Sequence, residues 1–345
     1  MTQHREQVQY PVITAVGGAL PSLSLNNREL IDLTRIDSSP DWIKKHTGIE
    51  RRHWAVEGEF ASDLAVEAAK GALSMANLAP SDVSSIYVAT GTPDYPSPNT
   101  ASIVHDRLGA PEECGAVDVR AACAGFVAIL QAASDGVMAR PYAPNALVIG
   151  AELPSSRANW RDRRSVILFG DGAGAAMVQP RANANRPVSV LLTQPNREAI
   201  YIPAGGRVEP AQGARDPRNR FVMDGPTVKQ HALSIMGRSA QMVARRAGLA
   251  DARGRIDWDG IDLLVPHQAN LRLIEAVGQE IGVPPEKCIT TVQRHGNTSS
   301  ASIPLALTEA HRQGKIGPER KRVLFTAVGA GMVGGAILMD VELPD

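Results

Sequence analysis

Cys123, His267 and Asn297 are the residues whose types and settings suggest chemistry in this chain of 345 residues. Cys123 lies in Asp118-Val119-Arg120-Ala121-Ala122-Cys123-Ala124-Gly125-Phe126, between an apolar strand-like run and an Ala-rich helix-like stretch over 125–138. A thiol at such a junction meets the positive end of a helix dipole, which favours thiolate over thiol. Its small neighbours leave room for a substrate. A single cysteine is more often a buried structural residue, and Cys114 and Cys288 take that reading. His267, in Val265-Pro266-His267-Gln268-Ala269-Asn270, stands at the C-terminal edge of a strand, where α/β proteins place their sites. Asn297, in His295-Gly296-Asn297-Thr298-Ser299, precedes a helix-like stretch over 303–313 and also reads as an N-cap turn. Two glycine-rich runs, at 169–176 and 328–336, complete the set. The second contains G-x-G-x-x-G, but the chain ends too soon after it for a dinucleotide fold. There the glycines suit a tight turn and a bare N–H aimed at a substrate oxygen.

The elements that must hold these residues follow from apolar patterning. Buried strands are expected at 85–90, 115–119, 146–150, 261–265, 322–326 and 336–341, and amphipathic helices at 62–77 and 227–247. The order helix, strand, turn with helix, strand occurs twice, offset by roughly 175 residues. Vague self-similarity is common to α/β chains, but four matched elements in order favour duplication. The turn carrying Asn297 then corresponds to the turn carrying Cys123, and a pseudo-twofold would make the two face each other. An N-terminal half is expected at 1–178 and a C-terminal half at 221–345. Between them, 179–220 is rich in Asn, Arg, Pro and Gly and reads as a linker and surface excursion, with a substrate-facing role open to it.

Composition excludes several classes. Charged residues make up 21% of the chain, with 36 Lys+Arg against 36 Asp+Glu, which argues against a disordered tail, duplex nucleic acid or an anionic membrane as bulk partner. Three cysteines cannot make a disulfide framework and suit a reducing compartment. The polar start over 1–10 is no secretory signal. The longest apolar runs fall short of the ~20 residues that span a bilayer, so a cytoplasmic location is expected. No metal-ligand spacing, Walker A, C-x-x-C or G-x-S-x-G occurs, so no metal or other cofactor is expected.

Together the segments around Cys123, His267 and Asn297 resemble the three active-site segments of β-ketoacyl-acyl-carrier-protein synthase III, of the thiolase-like superfamily. Phe169-Gly170-Asp171-Gly172-Ala173-Gly174, Gly329-Ala330-Gly331, Asp41-Trp42-Ile43 and Thr47-Gly48-Ile49 match as well, in order along nearly the whole chain. The resemblance implies an α/β thiolase fold of two βαβαβαββ halves in a five-layer αβαβα stack, and a homodimer. It implies that Cys123 takes an acyl group from a thioester, while His267 and Asn297 hold a malonyl thioester as it loses carbon dioxide and attacks the acyl-enzyme. Thiolate suits both parts of thioester exchange, and two N–H donors suit an enolate oxygen. The Cys123 N–H and one from the Ala330-Gly331 turn would form the oxyanion hole.

For substrate binding the resemblance implies Trp42 stacking on the adenine of coenzyme A, Arg163 near the same nucleotide, Asn270 on pantetheine and Arg272 docking acyl carrier protein. Tyr95 would reach into the partner subunit's acyl pocket. His46 stands where the family often has Arg. Asp224, Lys229 and Met332-Val333-Gly334 also depart from the usual pattern. A divergent member, serving fatty-acid or polyketide synthesis, is expected. Two rivals are an acyltransferase that forms an ester or amide, and a non-catalytic heterodimer partner. The intact Cys-His-Asn set favours condensation.

Overall fold

The computed structural model describes residues 8–210 and 216–345. Most of the polar start and positions 211–215 of the joining segment lie outside the described residues. Nine strands carry the fold: β1 (Gln9–Ala19), β2 (Ser85–Ala89), β3 (Gly115–Val119), β4 (Ala146–Glu152), β5 (Gly172–Ala182), β6 (Val188–Asn196), β7 (Leu263–Pro266), β8 (Lys321–Gly329) and β9 (Gly331–Val341). The helices that matter are α1 (Pro40–Thr47), α2 (Ala61–Ala76), α3 (Gly125–Ala139), α4 (Gly225–Arg246), α5 (Leu271–Ile281) and α6 (Ser302–Arg312).

The two halves repeat one pairing scheme. In the first, the order is β1-β5-β4-β2-β3, with the first two pairings antiparallel and the last two parallel. In the second, the order is β6-β9-β8-β7, antiparallel, antiparallel, then parallel, and a parallel bridge from Leu264 to Cys288 takes the fifth place. A short parallel ladder, Val12 to Asp340 and Ile13 to Val341, joins β1 to β9 and makes the two sheets continuous.

Alternation along the strands sorts the side chains into layers. Val148 of β4, Phe325 of β8 and Ile337 of β9 face a central layer made by α3 and α6, with Phe126, Leu130 and Ile303 in its core. On β4 the intervening Leu147 and Ile149 pack against α2. Leu324 and Leu338 pack against α4 and α5. The result is the expected five layers, helix, sheet, helices, sheet, helix. Strands covered on both faces read as continuous apolar runs. Helix α3 is apolar enough over Ala122–Ala139 to match a bilayer span by composition, and its setting is this interior layer.

The joining segment differs from its reading as a linker. β5 continues to Ala182, and β6 is a full strand paired along β9. Ile200–Tyr201 pairs with Val222–Met223 beside the site. β6 lies at a sheet edge, where one face meets solvent. Its alternation is therefore diluted by Ser, Thr, Gln and Asn, and the apolar run that marks the interior strands is missing.

The centre of the molecule is very close-packed. Each central helix is preceded by a short 3₁₀ turn, Ala122–Ala124 before α3 and Ser299–Ala301 before α6. Each turn contains a non-glycine residue in the left-handed region three positions before its helix, Ala122 at φ 46° and Ser299 at φ 52°. Such a conformation costs of order 1–3 kcal/mol and persists where its surroundings enforce it. Gly150 on β4 makes room for the second turn: a Cβ there would sit 2.7 Å from the Ser300 carbonyl carbon and 3.0 Å from Ala301 Cα. Gly150→Ala is expected to cost about 1–3 kcal/mol of unfolding free energy, as overpacking does. Urea denaturation measures it, and an unchanged midpoint would contradict this close approach.

Candidate active site

Cys123 sits in the first of these turns, just before the N-terminus of α3. Two cavities meet at it. The larger, about 1000 Å³, opens outward and is also lined by Trp42, Asn270, His267, Asn297 and Met332. The smaller, about 350 Å³, lies beyond the thiol and is lined by Thr92, Arg120, Glu152, Tyr201, Phe221 and Val333 among others. Cys123, Phe169, Ile200 and Ala330 belong to both walls. A group attached to Sγ therefore has space on both sides of it.

His267 is buried just past the end of β7, where its N–H bonds the Thr326 carbonyl of β8 at 2.8 Å. Its Nδ1 lies 2.7 Å from Ser302 Oγ, and that oxygen accepts the Gln268 N–H at 3.3 Å. Where the Ser302 hydroxyl donates to Nδ1, the imidazole carries its own proton on Nε2. Burial pushes its pKa down to about 4, so the ring is neutral at ordinary pH. Gln268 anchors the segment, donating to the Pro266 and Ile289 carbonyls and accepting from the Thr291 and Val292 N–H groups.

Asn297 is held by the chain on both sides. Its N–H bonds Leu168 O at 2.8 Å, and its own carbonyl accepts from Gly170 N at 3.1 Å, so the loop carrying Phe169 pairs with it. Its side-chain oxygen accepts the Ser299 N–H at 2.9 Å. The Nδ2 end is therefore the free one. The cavity wall thus offers two neutral N–H donors beside a thiol.

At the outer cavity Trp42 has Arg163 Cζ 4.5 Å from its ring centroid and His46 stacked on it at 4.1 Å. His46 Nδ1 is 2.8 Å from the Trp42 carbonyl. Asn270 caps α5 through its side-chain oxygen, accepting from Leu273 N at 2.9 Å, which leaves its amide NH₂ available. Arg272 lies at the same wall but pairs with Glu275 at 2.9 Å and bonds Lys45 O at 3.0 Å. Tyr95 is 57% exposed and lines neither cavity. Of the departures noted in the sequence, Asp224, Lys229 and Met332 line the outer cavity and Val333 the inner one. Gly334 is in neither wall; it packs against Ile235 and the β8 backbone.

One feature of the thiol differs from the sequence reading. The helix N-terminus suggests a depressed pKa, yet burial pushes the thiol up to about 11; the Ser299 hydroxyl opposes this, the Glu152 charge adds to it, and the Cys123 N–H opposes it. Gly329 stands against the thiol's backbone. A Cβ at Gly329 would stand 2.9 Å from Cys123 N and 2.8 Å from Ala121 O, while one at Gly331 would meet only Val333 N at 3.9 Å. Ala330 is part of both walls, and Gly331 is part of neither. Ser299, Ser302, Gln268 and Glu152 were not singled out from sequence. The first three lie within or next to the motifs, and only Glu152 had no signal near it. Among the described residues no cluster of His, Cys, Asp and Glu gathers as a metal site.

Comparison with known proteins places this geometry. Residues 117–194 match the family described as 3-oxoacyl-[acyl-carrier-protein] synthase III, and residues 252–341 its C-terminal part. The chain is 39% identical to β-ketoacyl-[acyl-carrier-protein] synthase III of Neisseria meningitidis over 336 residues, 96% of this chain and 100% of that one. The crystal structure of the synthase III of Aquifex aeolicus is similar at TM-score 0.83 and 34% identity, covering 95% of this chain and 99% of that one. A priming β-ketosynthase of a polyketide pathway is similar at TM-score 0.84 and 30% identity, covering 100% and 99%.

Two outcomes are expected from the site. His267, with its pKa moved from the usual 6.5 to about 4, should stay neutral and Nε2-protonated from pH 9 down to pH ~5. Nitrogen-15 spectra of histidine-labelled protein check this. The stability contributed by keeping this ring neutral is complete above about pH 6.5 and is lost as pH falls toward 4, because only the unfolded chain binds the proton in that window. Separately, Gly329→Ala should cover the Cys123 N–H and slow acylation by about 100-fold, the effect of removing one oxyanion donor. Acylation rates by intact mass, with circular dichroism as a folding control, measure it.

Proposed function

The chain belongs to the 3-oxoacyl-[acyl-carrier-protein] synthase III family of condensing acyltransferases of fatty-acid or polyketide synthesis, and on that premise we propose how its site works. Cys123 accepts an acyl group from a thioester that enters through the outer cavity. The acyl chain lies in the inner cavity beyond the sulfur. The donor thiol leaves, and a malonyl thioester takes its place with its carbonyl oxygen between His267 Nε2–H and Asn297 Nδ2–H. Loss of carbon dioxide puts negative charge on that oxygen. Two neutral donors stabilise it without handing it a proton, which leaves the enolate carbon free to attack the acyl thioester. The attack pushes charge onto the acyl oxygen, which meets the Cys123 N–H and the backbone turn at 329–331; as that carbonyl re-forms, the C–Sγ bond breaks and Cys123 leaves as a thiolate that takes up one proton. The observation that carries this reading is the thiol at the meeting point of two cavities with both donors in the wall of the outer one.

Trp42, Arg163 and His46 form an aromatic and cationic rim suited to the base and phosphates of coenzyme A. A base stacking on Trp42 would displace Arg163 or His46 from the ring. Arg272 and the amide of Asn270 stand along the route to the thiol, where a pantetheine arm and a carrier protein would be met. We also assign a homodimer. Strand β3 ends its sheet with an open edge and 47% exposed Val117, which a second copy would cover, and exposed Tyr95 would then serve that neighbouring subunit. The three free thiols fit a reducing cytoplasm.

Intact-protein mass spectrometry with a panel of acyl-coenzyme A and acyl-carrier thioesters should find one acyl adduct, absent from Cys123→Ala. Asn297→Asp should keep that adduct but lose carbon dioxide release from a malonyl thioester by at least ~100-fold, since a donor becomes a charge. Normal release in this variant would remove Asn297 from the decarboxylation step. Acyl transfer to an alcohol or amine without carbon dioxide release would point instead to an ester- or amide-forming enzyme.

A further inference from the structure

Glu152 ends β4 as a carboxyl 2% exposed, lining the inner cavity, with no ion pair among the described residues. Its hydrogen bonds can be assigned proton by proton. Oε2 accepts the Gly91 N–H at 3.0 Å and the Thr92 hydroxyl at 2.7 Å; Thr92 in turn accepts the Leu153 N–H at 2.8 Å, so its proton is free for Oε2. Oε1 faces two hydroxyls, Ser299 at 2.9 Å and Ser300 at 3.1 Å. Ser300 also lies 2.8 Å from the Ala89 carbonyl, so its one proton serves either that carbonyl or Oε1. It donates to Oε1 when the carboxyl is ionised, and by turning to Ala89 it can accept a proton from Oε1 when the carboxyl is neutral. Ser300 can therefore partner Oε1 in either protonation state.

Ser299 supplies the link. Its oxygen is 2.9 Å from Glu152 Oε1 and 3.4 Å from Cys123 Sγ. A hydroxyl has one proton and cannot donate to both. Either the thiol donates to Ser299, which donates to the carboxylate, or the carboxylic acid faces Ser299, which donates to the thiolate. The two arrangements differ by a shift of protons along three groups already in line.

We propose that Ser299 and Glu152 form a proton relay that takes the thiol proton of Cys123 as it attacks a thioester. The Sγ–C bond forms while the Sγ proton passes to Ser299 Oγ and the Ser299 proton passes to Glu152 Oε1. The donor's C–S bond then breaks, and the departing thiolate takes one proton back through the same hydroxyl, leaving the carboxylate as it began. The site needs such an acceptor. His267 is neutral with its Nδ1 committed to Ser302, and burial holds the thiol itself at about 11. Glu152 is also moved up from the usual range, chiefly by burial, with hydrogen bonds from Thr92, Gly91, Ser299 and Ser300 to the ionised form opposing, which makes it a stronger base than an exposed glutamate. The other charges facing this group are Arg120 in the same cavity and Asp171, itself raised to about 6 mainly by burial.

The proposal rests on Cys123 being the acyl acceptor, and alkylation separates the two questions because iodoacetamide reports thiol ionisation without an acyl donor. Alkylation of Cys123 is followed by intact mass from pH 5 to 11 in the wild type, Glu152→Gln and Ser299→Ala, with Cys123→Ala to subtract Cys114 and Cys288. At pH 7 both variants should react about 100-fold more slowly, within the range of general-base effects, and the gap should close at high pH as hydroxide takes over. If Glu152 is merely a negative charge, the sign reverses: Glu152→Gln frees the thiol to ionise and reacts faster at pH 7. Equal or faster alkylation overturns the relay, as does a deficit of the same size at every pH, which would be structural loosening. Should Glu152→Gln fail to fold, Ser299→Ala tests the same link with the carboxyl in place. Acylation of the wild type by thioesters is measured alongside. Its absence would remove Cys123 as acyl acceptor whatever the alkylation profile.

Discussion

The site depends on two short turns meeting at the centre of the molecule, where Ser299 Oγ of one stands 3.4 Å from Cys123 Sγ of the other. The turn before α3 carries the thiol, and the turn before α6 carries the hydroxyls and leads back to Asn297. Gly329 lets β8 close on the first turn and Gly150 lets β4 close on the second, where any Cβ would strike backbone. Each turn also holds a residue in the left-handed region, Ala122 and Ser299. Duplicated halves explain the symmetry. Sheets of the same pairing order deliver the same turn from opposite sides, and the helices behind the turns pack as the central layer.

Burying so many polar groups at this junction is costly unless each finds a partner. Here the partners come from the opposite half. Ser300 of the second half bonds Ala89 of the first, Ser299 bonds Glu152, and Asn297 pairs its backbone with Leu168 and Gly170. His267 and Ser302, by contrast, are partnered within one half. Of the two donors that would meet an enolate, His267 is therefore positioned within one half, whereas Asn297 and the thiol are held by both. A change that loosens the contact between halves should reach the thiol before it reaches the imidazole.

Much of this was legible in the sequence. β3 ran over the residues expected, and the interior strands stood out because both their faces are covered. Cys123, His267 and Asn297 were visible because each sits among small residues at a strand end or a helix start. Three things were not legible, for physical reasons. β6 lies at an edge, and its polar face hid it in a segment that looked like a linker. Gly329 and Gly331 look alike as letters, and only the packing shows that the first stands against Cys123 N. Glu152 follows an apolar run as a strand nearing solvent would, and nothing local marks it as enclosed. Its burial comes from Ser299 and Ser300, some 150 positions later in the chain. The pKa of the thiol was hidden likewise, since the dipole can be read from one helix but burial comes from both halves.

A thiol held up at about 11 has a consequence for its survival. Peroxide and disulfides react with thiolate, and thiols kept protonated are oxidised slowly. A permanently ionised nucleophile in an open cavity would be exposed to every soft oxidant that diffused in. A sulfur that gives up its proton only as it attacks would meet such oxidants as a thiol. Compounds that also engage the backbone N–H of Cys123 would then hold an advantage over simple electrophiles.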